Sequence, residues 1–308
     1  MKSANKQVVF NVLASAIISG IGFLTTPIFT RALGTVQYGK YGIFYSWVNI
    51  FTCLMGLQTH TCISTGYYDY KDDYYRFRSG ILVIGSILSA SFIIVLIFFS
   101  APLSTWLGYS NMTFAMLILS AFFHYVIDFA RGCFIYEKKA SLNFIISSSL
   151  AVITVGLSLV LLNAFEKDEL YLSRVYGVTI PYSVVGLLVF LIIFLKKPSF
   201  PKKGYWRYSL IIGIPMVFHT ISGRVLGQAD LIMLEKMGRY SESIGMYSFY
   251  HTYTSILTII LTALNTSWMP FFFDDLTQKQ MDSLNRKTKN YIELFTLICA
   301  VYILLSRE

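Results

Sequence analysis

Apolar residues form long blocks along the chain, and short polar connections separate these blocks. A bilayer core about 30 Å thick is crossed by roughly 20 apolar residues in a helix, so blocks of this length predict transmembrane helices. The nine segments that qualify are Val8–Thr30, Tyr41–Thr65, Gly80–Ala101, Met112–Tyr136, Leu142–Phe165, Val175–Leu195, Ser209–Leu234, Ile244–Met269 and Tyr291–Leu305. The pattern therefore predicts an all-α integral membrane protein with about nine transmembrane helices.

The composition supports a membrane protein, since 55% of the 308 residues are hydrophobic and only 13% are charged. Soluble domains carry about 25% charged residues. The net charge of +9 does not indicate nucleic-acid binding, because Lys and Arg occur in short groups between the apolar segments and not as one basic face of a soluble domain. The four cysteines lie within apolar segments and form no C-x-x-C pair, so neither a metal site nor a cofactor is expected.

The distribution of positive charge predicts the orientation in the membrane. If the N-terminus lies in the cytoplasm, the inside connections carry more than twice as many Lys and Arg residues as the outside ones. Cytoplasmic loops of membrane proteins are enriched in these residues, so we expect a cytoplasmic N-terminus. The outside connections are short, and no soluble domain is inserted, so any function is expected within the helical bundle or at its mouths.

A linker rich in proline and positive charge divides the chain. The segment Lys196–Tyr208, KKPSFPKKGYWRY, contains two prolines, a glycine and five basic residues. It separates six predicted spans from three, which predicts domains at residues 1–208 and 209–308. The first span of each domain contains a proline, Pro27 or Pro215, and we take these prolines as candidate hinges because proline interrupts helical hydrogen bonding.

The second domain begins like the first. Arg31-Ala-Leu-Gly34 leads to Gly39-Lys-Tyr41 after the first span, and Glu235-Lys-Met-Gly238 leads to Gly245-Met-Tyr247 after the seventh. The two glycines are five residues apart in one copy and seven in the other, so the alignment needs a two-residue insertion. Internal repeats are the usual architecture of secondary transporters, and the predicted orientation of the two spans makes these repeats parallel.

The same residues resemble a known family. Thr30-Arg-Ala-Leu-Gly34, followed by Tyr38-Gly-Lys-Tyr-Gly42, is similar to the opening of bacterial polysaccharide biosynthesis flippases. These are the O-antigen and capsule repeat-unit transporters of the multidrug/oligosaccharidyl-lipid/polysaccharide (MOP) exporter superfamily. Asp230-Leu-Ile-Met-Leu-Glu235 and Trp268-Met-Pro270 in the second half also resemble that family.

The resemblance implies a MATE-like fold, in which two six-helix lobes enclose a central cavity that alternates its opening across the bacterial cytoplasmic membrane. It implies an undecaprenyl-pyrophosphate-linked oligosaccharide as substrate, membrane lipids as surroundings, and glycosyltransferases and a polymerase of the same pathway as partners. Family members have about twelve or more spans. With nine, this chain is expected to hold a six-helix N-lobe and an incomplete C-lobe, as a truncated form.

Arg224 is the most informative charge within a predicted span. A charge at the bilayer centre costs about 2.5–3.5 kcal/mol on insertion scales, so it usually faces a cavity or a partner. A guanidinium can bind phosphate through two parallel hydrogen bonds. Arg224 is therefore either an anion site for the lipid pyrophosphate or the structural partner of an acid on a neighbouring helix.

Two further groups of charged residues lie within spans. Asp128 and Arg131 are three residues apart and share one helix face with His124, four residues earlier. They are either an internal ion pair or part of a hydrophilic cavity or proton relay. Asp230 lies toward the outer end of the seventh span, and we expect it to pair with Lys236 or a neighbouring helix, or to take part in coupling.

Arg31 ends the first span, where arginines commonly extend toward the lipid headgroups. The family resemblance also gives it a substrate-binding or gating role. His60, His219 and His251 are isolated along the sequence, and we interpret them as packed polar residues.

Three active functions remain open at the level of sequence, beside a scaffold role without transport. The first is a flippase for a lipid-linked oligosaccharide, the second a cation-coupled exporter of drugs or other small molecules of the same superfamily, and the third a membrane-embedded polysaccharide polymerase or ligase. The sequence contains no recognisable nucleophile, metal site or nucleotide-binding loop. We therefore predict a transporter and not an enzyme.

Overall fold

The computed structural model describes residues 2–237, 241–277 and 281–305. These residues are folded almost entirely as helices. The α-helices are α1 Lys2–Leu54, α2 Cys62–Asp69, α3 Tyr74–Phe98, α4 Ser100–Leu107, α5 Asn111–Tyr136, α6 Ala140–Leu161, α7 Tyr171–Lys196, α8 Lys203–Lys236, α9 Ser241–Thr277 and α10 Met281–Leu305. The shorter 3-10 helices are Met55–Thr61, Lys71–Asp73, Leu162–Ala164 and Lys167–Glu169.

The all-α prediction is confirmed, and each of the nine predicted spans coincides with a helical segment. Five helical segments of the described chain are long and apolar enough to cross a membrane, judged by length and composition: Lys71–Phe98, Asn111–Tyr136, Ala140–Ala164, Tyr171–Lys196 and Lys203–Lys236. The short α4 lies largely in the connection between the third and fourth predicted spans.

Helix α1 contains the first two predicted spans and changes direction at Gly34. Gly34 has φ 76° and ψ 162°, values that a residue with a Cβ rarely adopts. It divides α1 into a first limb, residues 2–33, and a second limb, residues 35–54. Pro27 lies within the first limb and Pro215 within α8, so the break recorded in α1 is at the glycine and not at the proline. The hinge roles of both prolines stay predictions.

The second predicted span is not the continuous helix that the sequence indicated. After the second limb of α1, the chain passes through the 3-10 segment Met55–Thr61, where Gly56–Gln58 has positive φ angles between 46° and 60°. The Gln58 amide donates a hydrogen bond to the carbonyl of Cys53 at 3.0 Å. A Cβ on Gly213 of α8 would lie 2.6 Å from the Leu57 carbonyl oxygen, so α8 covers this segment closely. Irregular backbone is tolerated within a membrane where protein buries it.

The linker between the predicted domains is shorter than the sequence suggested. Helix α7 ends at Lys196 and α8 begins at Lys203, so half of the predicted segment Lys196–Tyr208 is helical. Ser199 within the linker is only 8% exposed. The division into residues 1–208 and 209–308 stays a prediction.

The two copies of the sequence repeat face each other where α9 packs on the second limb of α1. A Cβ on Gly42 would lie 2.7 Å from the Ser248 hydroxyl oxygen, and Ser248 is the residue that corresponds to Gly42 in the repeat. A Cβ on Gly245 would lie 2.1 Å from the carbonyl oxygen of Thr35. Small residues from both copies therefore allow these two helices to approach closely. Gly238, the counterpart of Gly34, lies outside the described residues.

Arg78 belongs to a buried ionic network near the start of α3. It lies in α3 with a side chain only 2% exposed, and it forms an ion pair with Glu137, which is 3% exposed. Lys139 pairs with the second carboxylate oxygen of Glu137, and Arg78 also donates to the carbonyl of Ile193 at 3.2 Å. This buried network joins α3, α7 and the connection after α5.

Candidate functional site

A cavity of about 1130 Å³ opens between the second limb of α1, α5, α7, α8 and α9, and its lining is rich in polar side chains. The lining contains tyrosines from the second limb of α1 and from α7, and histidines from α5, α8 and α9. Asp128, Arg131 and Arg224 are its charged members among the described residues. Polar groups collected inside a membrane bundle mark a binding or transport path.

Arg224 projects from α8 into this cavity, and its recorded partner is a neutral amide. Its Nη1 donates a hydrogen bond to the Oδ1 atom of Asn49 on α1 at 2.9 Å. Among the side chains that the structure describes, no carboxylate forms an ion pair with Arg224. The guanidinium carries five N–H donors, so the single bond to Asn49 leaves capacity for an anion.

The three charged or polar residues predicted on one face of α5 all line the cavity. Arg131 Nη1 lies 3.9 Å from Asp128 Oδ1, and both side chains are more than one third exposed. This distance is longer than a hydrogen bond, so the pair is loose. His124, one turn away, places Nδ1 2.7 Å from the carbonyl oxygen of Ser120.

Arg31 and Asp230 lie apart from the cavity lining. Arg31 is exposed near the end of the first limb of α1. Asp230 is exposed on α8 and accepts a hydrogen bond from the Tyr247 hydroxyl. Lys236, a predicted partner of Asp230, instead donates to the carbonyl of Trp106 at 2.6 Å. The structure therefore brings Arg224, Arg131, Asp128 and His124 together, and leaves Arg31 and Asp230 elsewhere.

Sequence reasoning missed several residues of this cavity. Asn49 and Tyr45 are four residues apart on the second limb of α1, and this helical spacing was the available signal. His219 and His251, interpreted as isolated packed residues, both line the cavity, whereas His60 packs against another part of the bundle. No group of three or more His, Cys, Asp or Glu side chains in the described part of the chain is arranged to hold a metal ion.

Solved structures with the same fold are transporters. The chain aligns with the MATE multidrug transporter DinF-BH over 99% of its own length and 72% of that chain, with a TM-score of 0.78 and 14% identity. It aligns with a MOP superfamily transporter from Pyrococcus furiosus over 97% of its length and 71% of that chain, with a TM-score of 0.70 and 14% identity. The predicted MATE-like fold is thus confirmed.

The chain also has sequence relatives and matches one family profile. A protein of the Lsg locus of Haemophilus influenzae is 26% identical over 271 residues, which cover 85% of this chain and 64% of the relative. A membrane protein of the same organism is 26% identical over 266 residues, covering 84% of this chain and 62% of the relative. The chain spans less than two thirds of the length of these relatives. The sequence profile of the polysaccharide biosynthesis protein family matches residues 4–274, and the chain therefore belongs to that family.

Proposed function

We propose that this chain acts in a flippase that moves an undecaprenyl-pyrophosphate-linked oligosaccharide from the cytoplasmic to the outer leaflet of the bacterial inner membrane by alternating access. The observation that carries the proposal is Arg224, a permanent cation inside the cavity whose recorded partner is the neutral Asn49 amide. Arg224 is exposed toward the cavity space, so an anion can reach its free N–H donors, and the pyrophosphate of the carrier lipid supplies one.

The size of the cavity supports a substrate of this kind. Sites for drug-sized ligands usually measure about 300–1,000 Å³, and this cavity, at about 1130 Å³, lies above that range. Guanidinium groups bind phosphate through charge-assisted, often bidentate hydrogen bonds. Arg131 lies on the same cavity and is held only loosely by Asp128, so it is the second candidate contact for the pyrophosphate.

The charge of the cavity distinguishes this proposal from a cation-coupled drug exporter. The charged lining residues among those described are two arginines and one aspartate, which favours an anionic substrate over a cationic one. Asp128 and His124 are the candidate coupling pair, because both face the space that the substrate would occupy. Glycosyltransferases of the same pathway would supply the substrate, and a polymerase would consume it. A polymerase or ligase activity of the chain itself has no observation in its favour.

Binding to the purified chain in lipid nanodiscs tests the proposal, with undecaprenyl pyrophosphate as the probe and native mass spectrometry as the readout. A hydrogen bond to a charged group contributes about 1.5–3 kcal/mol, so Arg224→Ala is expected to weaken binding by roughly 10- to 150-fold. Arg224→Lys keeps the positive charge but cannot form two parallel hydrogen bonds to phosphate, so it should retain part of the affinity.

Arg76→Ala is the matched control, because Arg76 is an exposed arginine of α3 outside the cavity. It is expected to bind the probe like the wild type. Unchanged binding by Arg224→Ala would remove Arg224 from the site. A drop in membrane abundance of Arg224→Ala, without a change in affinity of the remaining protein, would assign it a structural role.

A further inference from the structure

Three aromatic side chains from different helices meet on the cavity wall. The ring of His124 on α5 stacks on that of Tyr182 on α7, with centroids 3.8 Å apart and an interplanar angle of 7°. Tyr45 on the second limb of α1 meets the edge of His124 at 6.0 Å and 68°. All three side chains of this aromatic cluster line the cavity that also holds the charged residues.

Packing alone does not account for Tyr45. Tyr38 and Tyr41 precede it on the same helix and are 8% and 9% exposed, whereas Tyr45 is 36% exposed. Tyr41 has a structural role, because its ring lies 4.8 Å from the guanidinium of Arg174. Membrane proteins usually place exposed tyrosine at the headgroup level, but the open surface of Tyr45 faces an internal cavity.

The cluster lies one helical turn from the anion-binding group. Asn49, which holds Arg224, follows Tyr45 by four residues, a rise of about 6 Å along the helix. On the same helix, the Ser46 hydroxyl donates to the Gln228 side-chain oxygen at 2.7 Å. The ring of Tyr45, the Ser46 hydroxyl and the Asn49 amide therefore follow one another along α1 beside Arg224.

This combination suits a sugar ring. One face of a pyranose exposes C–H groups that pack on an aromatic ring, while its rim carries hydroxyls that exchange hydrogen bonds with amides and hydroxyls. We infer that Tyr45 and Tyr182, with His124 between them, bind the sugar residue attached to the pyrophosphate. The inference rests on the proposed function, because the pyrophosphate at Arg224 sets the position of that first sugar.

The aromatic cluster recognises the face of a sugar ring more than the pattern of the sugar's hydroxyls. It distinguishes a carrier lipid that bears a sugar from the bare carrier lipid. The aromatic cluster therefore selects loaded substrate, while Arg224 binds the group that loaded and unloaded lipids share.

Two probes distinguish sugar binding at the aromatic cluster from pyrophosphate binding at Arg224. They are undecaprenyl pyrophosphate and undecaprenyl-pyrophosphoryl-N-acetylglucosamine. Wild-type chain in nanodiscs is expected to bind the second more tightly. Aromatic contacts contribute about 0.5–1.5 kcal/mol beyond area burial, so Tyr45→Leu should weaken binding of the sugar-bearing probe by roughly 2- to 12-fold and leave the bare lipid unchanged. Tyr45→Phe, which keeps the ring, should retain the preference.

Tyr176→Leu is the matched control, because Tyr176 lies on α7 but stacks with Phe165 outside the cavity. It is expected to bind both probes normally. Equal wild-type affinity for the two probes, or equal weakening of both by Tyr45→Leu, would refute sugar binding by the aromatic cluster. Either result would leave the flippase proposal standing. Binding of neither probe by the wild type would overturn both.

Discussion

Replacing Gly245 with alanine is expected to force α9 away from the second limb of α1. Gly245 lies where the two copies of the sequence repeat meet, and its α-carbon faces the backbone of Thr35. A Cβ at this position would lie 2.1 Å from the Thr35 carbonyl oxygen and 2.7 Å from the carbonyl carbon. Because these atoms belong to the backbone, no side-chain rotation relieves the contact.

The size of the effect follows from this distance. Ordinary contact begins at 3.4 Å, so the helices would have to separate by about 1.3 Å at this point. Overpacking of this kind costs about 1–3 kcal/mol. Alanine is the better helix former by roughly 0.5–1 kcal/mol, which offsets part of the cost. We expect a net loss of up to about 2.5 kcal/mol in the free energy of unfolding.

Unfolding of the chain in mixed micelles, titrated with sodium dodecyl sulfate and followed by circular dichroism, measures this change. Gly156→Ala in α6 is the control, because nothing lies within 4 Å of a Cβ at that position. That variant should gain up to about 1 kcal/mol from helix propensity. The two alanine substitutions thus have opposite signs, and a Gly245→Ala variant as stable as Gly156→Ala would refute the close approach of α1 and α9.

Two further predictions follow from burial and exposure. Arg78→Met should lower the free energy of unfolding by up to about 3 kcal/mol, because it removes one of the two cations that pair with buried Glu137 while Lys139 remains. Arg76→Met, exposed on the same helix, should change the free energy of unfolding by less than about 0.5 kcal/mol, and equal losses would contradict the buried pair. Phe200 is 78% exposed, and we expect Phe200→Cys, in a chain without its native cysteines, to lie on the cytoplasmic side. A membrane-impermeant maleimide should then label this cysteine only after the cells are lysed. Labelling in intact cells would reverse the predicted orientation. Ser199 is unsuitable for this assay, because its side chain is buried in the protein and would resist labelling on either side of the membrane.

The sequence predicted the helical architecture and much of the cavity's charge, for one physical reason. A bilayer penalises polar groups, so a helix that crosses it must be long and apolar, and a charge within it must face a cavity or a partner. The nine apolar blocks therefore coincide with helices. Arg224, Arg131 and Asp128 were singled out as expensive charges, and the structure places all three on one cavity.

The same reasoning failed where local geometry or neighbours mattered. The sequence did not indicate the break at Gly34, where the backbone turns with a positive φ. The apolar block Tyr41–Thr65 looked continuous because hydropathy does not report hydrogen-bond pattern, and the structure unwinds it at Met55–Thr61. The buried position of Arg78 did not follow from the sequence, because its acid partner Glu137 is distant along the chain.

Only the tertiary structure decided which side chains share the cavity. Arg31 and Asp230 are charged residues like Arg224, but neither lines the cavity: Arg31 precedes the break at Gly34, and Asp230 lies six residues after Arg224 on α8, on another face of that helix. Tyr45 and Tyr182 are ordinary tyrosines along the chain, and they become an aromatic surface because three helices converge there. Amino-acid type determines the free-energy cost of placing each residue in lipid, whereas helix register and packing determine which side chains it contacts.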